Sequence, residues 1–217
     1  MNKPFVTVSY AQTIDGRTAT LTEESQWISG EASLNLAHTL RRDNDAVAVG
    51  IGTVLADNPL LTCRITDPPS SPLRVIYDSE LRIPLDSELI STAGEYPLCV
   101  ITKEKYDPEK ASVLTRFGAK LIPVKKRGKG LSVTDSLDAL VSQGVRSVYV
   151  EGGAGLITSF LKERLVDRMI IVTAPIILGK GMEGIGDLGI RSLKEAVRPR
   201  RVRTRMIGDD MVWDLEL

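Results

Sequence analysis

Apolar and polar positions along the 217-residue chain follow two different periods. Short runs rich in β-branched and aromatic residues, at positions 4–10, 46–50, 74–78, 98–102, 119–124, 147–150 and 169–173, predict strands. Most of these runs are apolar at successive positions, as in strands buried on both faces. Segments with helical spacing lie between them. One runs to about Arg42, with Leu34, Ala37 and Leu40 as its apolar stripe and Ser29 or Ser33 as its cap. It ends in Arg41-Arg42, where the helix dipole favours cations. A second starts at Pro108 and stops at Phe117-Gly118. A third is capped by Thr134 or Asp135 and ends near Gly144, and a fourth covers about 156–165.

Apolar strands alternating with amphipathic helices predict an α/β fold with a mostly parallel central sheet flanked by helices. The tail departs from this pattern. Positions 201–206 and 211–217 alternate polar with apolar around Gly208-Asp209-Asp210, which predicts a C-terminal antiparallel hairpin. At this length a single domain over 1–217 is expected. Positions 66–72, with three prolines, and 125–130, basic and glycine-containing, read as loops.

Charge and composition narrow the function classes. The 28 basic and 28 acidic residues cancel, which removes any global attraction to nucleic acid or anionic membrane. Segment 191–205 holds seven basic residues against Glu195 alone, yet Arg201, Arg203 and Arg205 alternate with Val202 and Met206. That spacing reads as the charged face of an edge strand, so no nucleic-acid partner is expected. Cys63 and Cys99 lie far apart, and with His38 as the one histidine no metal site is expected. His38 itself reads as structural. No run of about 18 apolar residues occurs, so no membrane partner is expected. With no secretory pattern at 1–10 and free thiols, the expected location is cytoplasmic.

Three strand ends carry unusual turns, and ligands of such sheets bind at the carboxyl ends of strands. The first is Gly50-Ile51-Gly52-Thr53, continuing to Asp57-Asn58-Pro59. The second, Glu151-Gly152-Gly153-Ala154-Gly155, precedes a helix and suits an anion such as a pyrophosphate. The third is Asp78-Ser79-Glu80-Leu81. Gly179-Lys180-Gly181-Met182-Glu183-Gly184 fits G-x-G-x-x-G but lacks a following helix, so it reads as a mobile loop. Leu55 and Thr158 occupy the third-glycine positions of the other two turns, which argues against a strict Rossmann domain.

Taken in order, Thr13-Ile14-Asp15-Gly16-Arg17, Glu24-Ser25-Gln26-Trp27, Gly52-Thr53-Val54-Leu55-Ala56-Asp57-Asn58-Pro59 and Leu60-Leu61-Thr62 resemble the riboflavin-pathway reductase family. So do Val75-Ile76-Tyr77-Asp78-Ser79, Glu151-Gly152-Gly153-Ala154-Gly155 and Ala174-Pro175-Ile176-Ile177-Leu178-Gly179. The resemblance implies a fold similar to dihydrofolate reductase, a homodimer, and NADPH-dependent reduction of a ribosylaminopyrimidine 5′-phosphate. With no deaminase portion visible, it implies the stand-alone type acting on the 2,5-diamino substrate. Ser9 stands where fused enzymes carry lysine. Carried over, Trp27, Thr53, Asp57, the Asp78, Ser79, Glu80, Leu81 turn and the Gly152, Gly153, Ala154, Gly155 turn would hold the cofactor. Ser25, Arg41, Leu61, Arg64 and Glu151 would hold the substrate, the arginines suiting its phosphate by their forked donors.

A closed N-riboside has no C=N bond, so its ring must open to an imine before hydride adds at C1′. Glu151, at an apolar strand end, is the candidate proton donor and acceptor for that opening. Ser79, Arg82, Thr102 and Lys103 are candidates for the 2′-phosphate of the cofactor. Two other readings stay open: a reductase of a different pterin or pyrimidine, and a non-catalytic nucleotide- or RNA-binding module using the basic tail.

Overall fold

The computed structural model describes residues 3–67, 70–128 and 130–217. Along the chain come β1 (Phe5–Thr13), β2 (Arg17–Ala19), α1 (Glu31–Asp43), β3 (Ala46–Gly50), α2 (Ile51–Asp57) and β4 (Leu73–Tyr77). Then follow α3 (Glu88–Ser91), β5 (Leu98–Lys103), α4 (Pro108–Arg116), β6 (Lys120–Val124), β7 (Lys126–Arg127), β8 (Gly130–Leu131) and α5 (Val133–Val141). The chain closes with β9 (Ser147–Gly152), α6 (Ala154–Lys162), β10 (Arg168–Ala174), β11 (Met182–Glu183), β12 (Arg201–Ile207) and β13 (Asp210–Glu216). Part of the expected loop 66–72, and residue 129 of the basic loop, lie outside the described residues. The α/β class, the parallel strands and the antiparallel hairpin agree with the sequence pattern.

The described residues form two compact units, one built from His38–Tyr149 with the segment up to Phe5, the other from Val6–Ala37 and Val150–Leu217. In the first, β3, β4, β5 and β6 pair in sequence order, all parallel. Their apolar runs are consumed on both faces: Ala46, Val47, Ala48 and Val49 are all fully buried, as are Val75, Ile76, Val100 and Ile101. Asp45 ties down the start of β9 by accepting from the Arg146 and Ser147 amides at 2.7 and 3.0 Å. Those donors favour its ionised form, so its pKa lies below the usual carboxylate value.

In the second unit β1 pairs parallel with β10, β10 antiparallel with β13, and β13 antiparallel with β12 at the edge. Val6, Val8, Ile170, Val172 and Val212 of its strands are buried, as are Ile157 and Phe160 of α6. Arg168 and Asp214 join β10 to β13 by two parallel hydrogen bonds of 2.8 and 2.7 Å. The Arg168 guanidinium holds the Asp214 carboxyl below its ordinary pKa. A depressed pKa means stability that is present above the unfolded-state value of about 3.9 and is lost as pH falls through the folded value. D214N is therefore expected to lower stability by about 1–3 kcal/mol at pH 7. Urea melts of wild type and variant should converge as the pH drops below about 4.

Two helix starts differ from expectation. Helix α5 is capped by Ser132, whose hydroxyl accepts from the Asp135 amide at 3.1 Å, rather than by Thr134 or Asp135. At α1 neither Ser29 nor Ser33 supplies the acceptor. Asp210, at the start of β13, accepts from the Gly30 amide at 2.9 Å and from the Ser33 hydroxyl at 2.6 Å. A carboxylate there also meets the positive end of the helix dipole. Asp107 caps α4 as its position before Pro108 suggests, accepting from the Glu109 and Lys110 amides.

The G-x-G-x-x-G segment is not a free loop. Its Met182 and Glu183 form β11, paired with β2. A Cβ on Gly181 would collide with the Ala19 carbonyl oxygen, and one on Gly184 would sit 2.5 Å from the Tyr10 ring. Glycine at both positions is a matter of close approach, not of phosphate binding. No helix among the described residues is long and apolar enough to cross a membrane.

Candidate active site

In the first unit the parallel strands bring their carboxyl ends to one edge, where α2 follows β3 and the Asp78 turn follows β4. Thr53 is half-buried in α2, and Asp57 is exposed at its last position. Asn58 then takes the left-handed conformation that Asn tolerates, and its Oδ1 accepts from the Glu88 amide at 2.9 Å. A Cβ on Gly52 would meet nothing within 4 Å, so this turn borders open space.

Asp78 is fully buried and occupied within its own turn. Its carboxylate accepts from the amides of Ile83 at 2.8 Å and Glu80 at 3.3 Å. Burial raises its pKa against the pull of these donors. Leu81 is also buried and left-handed, while Ser79 is half-buried and Glu80 exposed. Of the four turn residues, the last two named are the ones open to a ligand.

The segment Leu60-Leu61-Thr62 is held by two buried arginines. Arg41 donates to the Thr62 carbonyl at 3.0 Å, and Arg74 to the Leu60 carbonyl at 3.3 Å. Between them Leu61 is buried with φ of 59°, an uncommon conformation for leucine. Arg74 is fully buried and also donates to the carbonyls of Leu89, Thr92 and Tyr96 and to the Thr92 hydroxyl. Desolvation pulls its pKa down to about 10. Arg64 has an exposed side chain, and its amide donates to His38 Nδ1 at 3.2 Å. His38 thus has the structural part expected of it, and it places Arg64.

In the second unit Glu151 sits half-buried one residue before the end of β9. Gly152 has φ of 154° and is buried. Gly153 takes the cap position of α6 and offers no side-chain acceptor to the first helical amides. Gly155 is exposed, and a Cβ there would meet nothing within 4 Å. An uncapped helix start beside open space is the arrangement that accepts an anion. Thr158, at the position where a dinucleotide fingerprint has glycine, uses its hydroxyl instead to accept from the Gly186 amide at 2.7 Å. Ser25 is half-buried in the segment before α1, and Trp27 is 69% exposed, its indole available to stack on a flat ligand. The Gln26–Trp27 and Gly152–Gly153 peptide bonds are cis.

The family model described as RibD C-terminal domain matches residues 4–213. This chain belongs to that family. Among relatives of the RibD C-terminal domain, the riboflavin biosynthesis protein RibD of Aquifex aeolicus (strain VF5) is 40% identical over 210 residues, covering 97% of this chain and 57% of that protein. The 2,5-diamino-6-ribosylamino-4(3H)-pyrimidinone 5′-phosphate reductase of Methanothermobacter thermautotrophicus (strain Delta H) is 35% identical, covering 97% of this chain and 96% of that protein. Among solved structures, Acinetobacter baumannii RibD superposes with a TM-score of 0.84 at 26% identity, covering 100% of this chain and 58% of that one. The chain thus spans a little over half the length of the RibD proteins it matches.

Sequence reasoning missed what Asp15 does in this RibD C-terminal domain. Its carboxylate accepts from the Leu178 and Gly179 amides at 3.2 and 2.6 Å, and the Arg17 guanidinium donates to the Gly179 carbonyl at 2.8 Å. The Thr13 hydroxyl, first among its partners, brings the Asp15 pKa down to about 2. The Thr13-Ile14-Asp15-Gly16 motif therefore fixes the segment after β10. The signal was present as a motif, but its partner lies more than 160 positions away. Arg74 carries no local signal of its role: it opens an apolar strand, and the carbonyls it serves lie 14 to 22 positions away.

Proposed function

We propose that this chain is an NADPH-dependent reductase of 2,5-diamino-6-ribosylamino-4(3H)-pyrimidinone 5′-phosphate. The observation that carries the reading is the match to the Methanothermobacter reductase along nearly the whole of both chains. Each unit has features that suit part of a dinucleotide: open space at Gly52 in the first, and in the second open space at Gly155, the uncapped start of α6 and the exposed indole of Trp27. In this reading Thr53, Asp57, Ser79, Trp27 and the Gly152–Gly155 turn hold the cofactor, and Glu80 borders its adenosine side. Bound NADPH supplies a hydride for C1′ of the substrate.

The chain's own work is then to bind, orient and open the sugar. Arg64, exposed and fixed through its backbone, offers a fork of donors to the 5′-phosphate, and Arg41 gives the same loop its shape while presenting a second guanidinium. Ser25 and the Leu61 backbone position the base. Glu151 delivers a proton to the ribose ring oxygen and takes one from the exocyclic nitrogen side, which yields the open-chain imine. Much of the remaining rate gain is positioning of C1′ for hydride transfer. The likeness to the Methanothermobacter enzyme also favours this substrate over another pterin or pyrimidine.

A homodimer belongs to the same reading. The run 170–178 is only partly available for it, because Ile170, Val172 and Ala174 are buried within β10. The register instead puts Val202, Met206, Met211, Trp213 and Leu215 on one face of the hairpin, and Val202, Met206 and Trp213 are exposed.

Following NADPH absorbance with the diamino riboside phosphate tests the function directly. Oxidation dependent on that substrate is expected, and no oxidation between pH 6 and 9 would overturn the proposal. His38→Ala is expected to raise substrate KM about threefold to tenfold with little change in kcat, because it loosens Arg64 without touching the reacting atoms. Steady-state kinetics in the riboside phosphate checks this.

A further inference from the structure

We infer that Lys103 and Lys126, bridged by Glu80, form the subsite for the phosphate monoester on the adenosine side of the dinucleotide, and so set preference for NADPH over NADH. The inference rests on the dinucleotide reading above and adds the residues that discriminate between the two cofactors.

Three observations within the first unit carry it. The first is where the groups lie. Glu80 follows β4, Lys103 ends β5, and Lys126 follows β6, so all three sit at the carboxyl ends of consecutive parallel strands. Adjacent strands are spaced about 4.8 Å apart, which puts Lys103 about 10 Å along the edge from the turn that carries Thr53. The second is charge. Glu80 pairs with Lys103 and, at 3.7 Å, with Lys126, so one carboxylate meets two ammonium groups and a positive charge is left over. The lysines hold the Glu80 carboxyl below its ordinary pKa, Lys103 first, which keeps the triad ionised.

The third is what happens to the acids. A dinucleotide without the 2′-phosphate presents a ribose diol, and sites for it place a carboxylate acceptor at a strand end. Here the strand-end acid Asp78 spends its oxygens on the Ile83 and Glu80 amides, and Glu80 spends its charge on two lysines. Exposed Glu104 beside Lys103 is offset by Lys125 and Arg127, which flank Lys126. What this edge offers is a pair of ammonium donors. Thr102, fully buried, donates to the Ser79 carbonyl at 3.4 Å and keeps the β4 turn against the end of β5.

An incoming phosphate would take the place of the Glu80 carboxylate between the lysines, with Glu80 turning outward to water. A carboxylate in that position therefore orders both lysines before the cofactor arrives and competes with it afterwards. Removing either lysine and removing the acid should move affinity in opposite directions.

The test measures Kd by calorimetry for NADPH, NADH, 2′,5′-ADP and 5′-AMP on wild type, K103Q, K126Q and E80Q. For each lysine variant, NADPH and 2′,5′-ADP are expected to weaken about tenfold, while NADH and 5′-AMP change far less. E80Q is expected to tighten the 2′-phosphorylated ligands and to leave 5′-AMP nearly unchanged. The wild-type preference should shrink as salt rises. Equal losses for phosphorylated and unphosphorylated ligands, or no loss, would overturn the inference alone. Failure of wild type to bind either dinucleotide would overturn it together with the reading it rests on.

Discussion

Arg74→Leu is expected to destabilise the protein by about 3–5 kcal/mol, a drop in Tm of about 10 °C. The leucine fills part of the volume but donates nothing. Four carbonyls and the Thr92 hydroxyl now receive hydrogen bonds from one guanidinium. Each buried acceptor left without a donor costs about 1–3 kcal/mol, and relaxation toward water recovers part of the sum. Arg74→Lys is expected to be intermediate, since an ammonium has three donors and lacks the flat fork that reaches several carbonyls at once. Thermal melts of both variants give the comparison. A leucine variant within about 1 kcal/mol of wild type would mean that water satisfies these carbonyls and that the guanidinium is not what holds them. Because Leu60 is one of the acceptors, either variant should also loosen the segment around Leu61 and raise substrate KM.

Glu151→Gln is expected to lower kcat by about 10²–10³-fold while dinucleotide affinity stays the same. Glutamine keeps the size and one acceptor oxygen but can neither give nor take a proton at this step. Glutamine should therefore leave the substrate bound but closed, with no C=N bond for hydride to enter. Single-turnover decay of NADPH absorbance after mixing separates slowed chemistry from slowed release. Unchanged kcat and KM would remove Glu151 from the ring-opening step and leave that proton transfer to another group or to water.

Much of the fold could be read from local sequence because its cues are local. The fully apolar runs at 46–49 and 98–101 have no polar face, so they can only be interior strands, and they are. The Asp107-Pro108 start and the Gly118 stop of α4, with Gly118 at φ of 99°, are likewise set by neighbouring residues. What the sequence concealed depends on partners far along the chain. The acceptor for the start of α1 is Asp210, so the nearby serines misled. The glycines at 181 and 184 resembled a phosphate loop because close backbone approach and phosphate binding demand the same residue.

The site divides in a similar way. The Gly152–Gly155 turn was legible because glycines before an amphipathic helix have a local meaning. The turn at 78–81 was legible as a turn, yet its inner and outer members were not, since burial of Asp78 and Leu81 is a tertiary fact. The Lys126 contribution was invisible for the same reason: a basic loop discloses its charge but not the carboxylate it faces.

The Asp210 contacts with Gly30 and Ser33 bridge 180 and 177 positions, and this bears on how the chain is made. A ribosome delivers α1 early and its acceptor late. Until β13 emerges, the Gly30 amide and the Ser33 hydroxyl must be satisfied by water. The segment 20–30, which carries Ser25 and Trp27, leads directly into that unfinished helix start. Nascent chains should therefore acquire the parallel strands 46–124 before this loop takes its final position, so competence to bind ligand arrives with the last hairpin rather than with the first core.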